Sequence, residues 1–111
     1  MAIEHFSQNK SGAVAKTNLS AVTSATNGDS IEVRDFKYKS VFVNVSVNTG
    51  AVTVAIEASN DGSTWYDVKS ETYTATVKKD IFSYSSHFPF MRTTTSTQSN
   101  STVTTVICGG S

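Results

Sequence analysis

The stretch "SVFVNVSVNTGAVTVAIEASNDGSTWYDV", Ser40 to Val68, decides how this chain is read. Val41, Val43, Val45 and Val47 alternate with Phe42, Asn44 and Ser46, which sends the valines to one side of a strand and the others to its opposite face. Val52, Val54, Ile56 and Ala58 repeat the pattern against Thr53, Ala55 and Glu57. Between the two runs, "NTG" at Asn48 to Gly50 is a hairpin signal, so strands over 41–47 and 51–59 are expected to pair antiparallel.

Working outward, the period of two persists. Short strands are expected near 13–21, 30–36, 64–68, 71–77, 81–84, 90–95 and 102–108, most of them bounded by Gly, Asn, Asp or Ser clusters. No stretch keeps apolar residues at helical spacing with capping signals, and β-branched Val and Thr fill the strand positions. These features describe an all-β chain folded as a single antiparallel β-sandwich, with jelly-roll and immunoglobulin-like arrangements both open. The sandwich is assigned to 12–111. The polar segment 1–11 is a candidate N-terminal arm that orders on a neighbouring subunit, or a frayed end.

Composition limits the function. A chain of 111 residues builds one core, and formal charge balances at zero with nine basic and nine acidic residues. Without a net positive field there is little to gain from counterion release on phosphates, so nucleic acid is not an expected partner. The N-terminus has no basic region followed by an apolar run, so no signal peptide and no membrane span are expected. Cys108 is the single cysteine, which rules out an internal disulfide and suits a reducing compartment. In that setting the N-x-[ST] matches at Asn18, Asn44 and Asn100 carry no meaning. About three residues in ten are Ser or Thr, and in a patterned chain those hydroxyls belong on the outward face of a sheet.

Few residues suggest chemistry. Asn60, Asp61 and Gly62 suit a turn, because an Asx side chain caps it and glycine accepts positive φ. The same segment with Asp67 is a weaker candidate for Ca²⁺, since the alternating carboxylates and closing Glu of an EF-hand are missing. Trp65 and Tyr66 are adjacent, so one should face the core and the other solvent or a partner, with Trp65 the better core candidate. Together they could also form a sugar-stacking platform. Glu57 and Asp67 could pair as acid and base only if they are close. His5 and His87 belong to no recognisable constellation, and Cys108 reads as a small core or interface group. No enzyme activity, cofactor or metal is expected. Lys78-Lys79 reads as a solvated turn. Phe82, Tyr84, Phe88 and Phe90 read as core filling, and as a candidate subunit interface where exposed.

"VTVAIEASNDGSTWYDV" resembles the valine strand, Asp-Gly turn and Trp strand of small β-sandwich proteins in virions of tailed bacteriophages. "FPFMRTTTSTQSNSTVTTVICGG" resembles the closing hairpin of such domains. Discoidin-type carbohydrate-binding modules carry a similar Ser, Asp-Gly and Trp hairpin, but they are longer and exported. The virion resemblance implies a capsid decoration or cement protein, or a neck or tail accessory. Such a protein is homo-oligomeric, assembles in the host cytoplasm, and contacts itself and other virion proteins such as the major capsid protein. The alternative is a small carbohydrate-binding module.

Overall fold

The computed structural model describes residues 4–5 and 14–110. It contains β1 (Glu4–His5), β2 (Val14–Val22), β3 (Ile31–Glu32), β4 (Tyr38–Ser59), β5 (Tyr66–Thr74), β6 (Lys78–Tyr84) and β7 (Phe90–Gly110), with no helix among the described residues. All strand pairs are antiparallel except β1 with β3. Of the candidate arm at 1–11, only Glu4–His5 falls within the described residues, and it pairs with Ile31–Glu32.

Two strands are far longer than the alternation suggests. β4 has 22 residues and β7 has 21, and they pair with each other along nearly their whole length. A straight strand of that size spans about 73 Å. The longest dimension of the molecule is 41 Å, so both strands must double over. Thr93 and Thr105 prove it within β7: twelve residues apart, about 40 Å in an extended chain, their hydroxyls meet at 2.6 Å.

The doubled ribbon makes the sandwich. In one layer the strands run β2, the C-terminal half of β7, the N-terminal half of β4, then β6. In the other they run β3, the N-terminal half of β7, the C-terminal half of β4, then β5. Strands that pass from one layer to the other belong to the doubled-over ribbon of a jelly roll more than to immunoglobulin sheets, whose strands stay in one layer. The expected hairpin of 41–47 with 51–59 is therefore corrected: both are halves of β4, and each pairs with β7 instead. The closing hairpin over 88–110 is likewise one continuous strand, and 64–68 with 71–77 merge into β5. Lys78 and Lys79 lie inside β6, not in a turn.

The bend has its own chemistry. Ala21, Ala75, Thr97 and Asn100 all have φ between 47° and 50°, and all lie where the strands fold over. Left-handed non-glycine residues cost roughly 1–2 kcal/mol each, and side-chain hydrogen bonds offset that cost. Buried Asn48 donates from Nδ2 to the carbonyls of Tyr73 and Thr76 at 3.1 and 3.0 Å, and its Oδ1 accepts from Gly50 N at 3.2 Å. It ties the β5–β6 corner to the bend of β4. A Cβ on Gly50 would lie 2.3 Å from the Ser99 carbonyl, so only glycine lets β4 and β7 turn together there. Register shifts at Val45/Val47 and Asn48/Ala51 change the inward set from Val41, Val43 and Val45 to Val52, Val54 and Ile56. Val47, expected inward, is half exposed as a result.

These valines form one core with Ile31, Val33, Phe36, Tyr73, Met91, Val103 and Ile107. A polar chain runs through its β2 side. Asn18 stands at a register shift in β2, and its Oδ1 accepts from Thr93 N and Oγ1 at 2.6 and 2.7 Å. Thr105 Oγ1 in turn accepts from Leu19 N at 3.0 Å. Asn18 also donates from Nδ2 to the Asp29 carbonyl at 2.8 Å, and the missing side chain of Gly28, whose N donates to the Thr93 carbonyl at 2.8 Å, makes room for it.

Candidate functional site

The Ser59–Thr64 turn is built from its own side chains. Ser59 Oγ accepts from Asp61 N and Gly62 N at 3.2 and 2.8 Å, and donates to Asp61 Oδ1 at 3.0 Å. That same Oδ1 accepts from Ser63 N and Thr64 N, both at 2.8 Å. The two backbone donors and the Ser59 hydroxyl hold the Asp61 carboxyl below its ordinary value. Gly62 has φ 82°, as the Asp-Gly pair requires. The loop that suggested a ligand is thus engaged in reversing the chain. Among the described residues, no three His, Cys, Asp or Glu side chains are grouped to hold a metal ion.

Beside the turn, Arg92 covers Trp65. Its guanidinium carbon lies 4.4 Å from the indole centroid, and its Nε donates to Glu57 Oε1 at 2.7 Å. Trp65 is consequently half-buried under Arg92 and is not a member of the core, whereas Tyr66 is 60% exposed. The division of the pair into a covered and an open ring is as expected, but Trp65 is covered by a cation. Glu57 stands opposite Asp67 in the β4–β5 register, with its carboxylate paired to Arg92.

Asn60 and Tyr66, candidates of one loop, are joined here by Phe88, which the sequence places in a separate aromatic cluster. They line a groove of about 460 Å³ with Ala58, Val68 and Pro89, open to solvent and mostly apolar. Its Phe88–Pro89 wall is tethered by Lys39. That side chain is 2% exposed, its Nζ donates to Ser86 O at 2.6 Å, and it lies 5.8 Å from the Phe88 ring. Burial lowers the Lys39 ammonium below its usual range. The other aromatic candidates are packed inward: Phe90 is buried, and Phe82 and Tyr84 lie half-buried against the core. Tyr84 also meets Phe88 edge-on at 6.1 Å.

The exposed apolar surface lies elsewhere, on the outer face of the β2-β7-β4-β6 layer. Ile81 pairs with Phe42, Phe42 with Val106, and Val106 with Thr17, so the four stand in one row across the strands. Ile81 is 61% and Phe42 42% exposed. The next row is Ser83, Ser40, Cys108 and Ala15. Among the described residues the one charged side chain at an outward strand position of this layer is Lys79, and the Lys37 ammonium lies over the Tyr38 ring at its margin, 5.3 Å from the centroid. The other layer's outer face carries Glu57, Arg92 and Asp67 among hydroxyls such as Thr53 and Thr72. Phe42 was expected opposite the valines, but nothing local to it indicates that Ile81 and Val106 are level with it.

Fold and surfaces together define a small antiparallel β-sandwich with one outer face that carries few charges and exposes Phe42 and Ile81. Neither a family model nor a curated protein matches the chain. Solved structures do share the fold. The SPBc2 prophage-derived protein YomS superposes with a TM-score of 0.64 at 14% identity, over 87% of this chain and 92% of its own. A protein of the disulfide-linked pili that form Bacillus endospore appendages gives 0.53 at 18% identity, over 90% and 87%. PirA gives 0.51 at 15% identity, over 89% and 95%.

Proposed function

We propose that this chain is a non-enzymatic structural component of a phage particle, either a capsid decoration or cement protein or a neck or tail accessory. It works in many copies, through contacts with itself and with particle proteins such as the major capsid protein, after assembly in the host cytoplasm. The observation that carries this reading is the charge-poor outer face with Phe42 and Ile81 exposed on it. A face of this kind on a module whose core is already complete is a contact surface. The fold shared with a prophage-derived protein over nearly the whole of both chains supports the same reading. The test is mass spectrometry of density-purified particles produced by a genome that encodes the chain. Fixed stoichiometry in the particle supports the proposal; absence from particles while the free protein accumulates in the lysate defeats it.

A second reading, a small carbohydrate-binding module, is favoured by the groove, where the open ring of Tyr66 stands beside Asn60 and Phe88. Saccharide binding that is lost in Tyr66→Ala would support it.

A further inference from the structure

We infer that the Phe42 face is where two copies of this chain meet, packed sheet against sheet. The inference rests on the many-copy reading above and names the partner of that face.

Charge selects the occupant. Among the described residues Lys79 is the one charged residue at the outward strand positions of this layer, with the Lys37 ammonium over the Tyr38 ring at its margin and no carboxylate, so a partner rich in either sign would have to strip water from charges that mostly find no mate. Elsewhere the chain has that problem: its opposite outer face presents Glu57, Arg92 and Asp67. The surface of this protein that suits the Phe42 face is therefore the Phe42 face itself. Two-fold pairing requires such self-complementarity. A two-fold axis along the strands lays the β6 edge of one copy over the β2 edge of the other. Lys79 then lies over the β2 edge and does not meet its own copy, while the row of Ile81, Phe42 and Val106 meets the same row reversed.

Size agrees. Four strands over about eight residues cover roughly 500 Å² in projection, and side-chain relief raises this toward the roughly 800 Å² per partner of a standard interface. Aligned sheet packing at about 10 Å is also how the two layers of the molecule's own core meet. Cys108 is one row from Phe42 and half-buried, so it reports on the face without being its centre.

The experiment is light scattering across protein concentrations from about 1 µM to about 1 mM, on the wild type, on Phe42→Asp with Ile81→Asp, and on Thr72→Asp on the opposite face. The expected result is a dimer whose dissociation constant rises at least tenfold in the double variant and is unmoved in Thr72→Asp. A wild type that stays monomeric throughout, or an oligomer indifferent to the double variant, overturns the inference. Should the double variant fail to fold, maleimide labelling of Cys108 in the wild type decides: a rate that falls with protein concentration supports the paired face, and a constant rate overturns it. A monomer found in purified particles would defeat the self-pairing alone, whereas a dimer absent from particles would defeat the particle reading alone.

Discussion

The Arg92 guanidinium lies over the Trp65 ring at 4.4 Å while its Nε bonds the carboxylate of Glu57, joining β4, β7 and the entry to β5 at one point. Both charged side chains are mostly shielded, so the pair is screened less than one in open solvent. Arg92→Ala should cost about 1–2 kcal/mol in urea unfolding, from a charge-assisted hydrogen bond and a cation–π contact. Because Trp65 is the single tryptophan, its emission should shift to the red in the folded variant, and an unchanged spectrum would contradict the stacking.

Asn48 should be worth more than its size suggests. Asn48→Ala leaves the Tyr73 and Thr76 carbonyls without their side-chain donor at a buried corner. A loss of about 2–3 kcal/mol is expected. Asn48→Asp should not rescue it, since a carboxylate cannot donate to either carbonyl. Chemical denaturation of both variants checks this.

Asp61 gives an acid-side prediction. Its native carboxyl titrates below the ordinary 3.8, so its contribution is present above that value and disappears as pH falls through the lower native one. The melting temperature of the wild type should exceed that of Asp61→Asn at neutral pH. The gap should close as pH drops below 3.8; a gap that persists in strong acid would count against the turn chemistry described here.

On the alkaline side burial raises Tyr73, Tyr84 and Cys108 and lowers Lys39, so groups of opposite sign act together. Burial, then the hydrogen bond to Asp80 at 2.7 Å, raises the Tyr73 hydroxyl well above 10.0. Its contribution is full below 10.0 and is lost as pH climbs toward the higher native value. Lys39 runs the other way: its native value lies below 10.5, so stability rises as pH passes from that lowered value toward 10.5. Measured in a Lys39→Met background, where the lysine no longer opposes it and Tyr84 and Cys108 are common to both proteins, the chain with Tyr73 should lose stability above pH 10 faster than Tyr73→Phe.

How much of this was legible follows from distance along the chain. The valine alternation is local, and so was the inward set of Val41, Val43, Val45, Val52, Val54 and Ile56. The Ser59–Gly62 turn was legible for the same reason, since every bond in it spans three residues or fewer. The bend was not. Asn48-Thr49-Gly50 carries the chemistry of a hairpin turn, and only Asn48's partners, more than twenty residues on, make it a corner. Asn18, set aside with two other N-x-[ST] matches, is the centre of a polar chain for a similar reason: its partner Thr93 is 75 residues away. The Phe42 row depends on registers among four strands, which alternation cannot supply.

The placement of β7 also sets the order of events when the chain is made. Its C-terminal half stands between β2 and β4 in one layer, and its N-terminal half between β3 and β4 in the other. Until β7 has been made, each layer lacks an inner strand, and Val14 must wait for Gly109, its partner in the β2–β7 register. Such distant pairing makes folding slow and defers closure of both layers until β7 has been made. The valine strand β4 can meet β5 and β6 before that point, but neither layer closes without β7, so a copy-to-copy contact through the Phe42 row has to follow the arrival of β7.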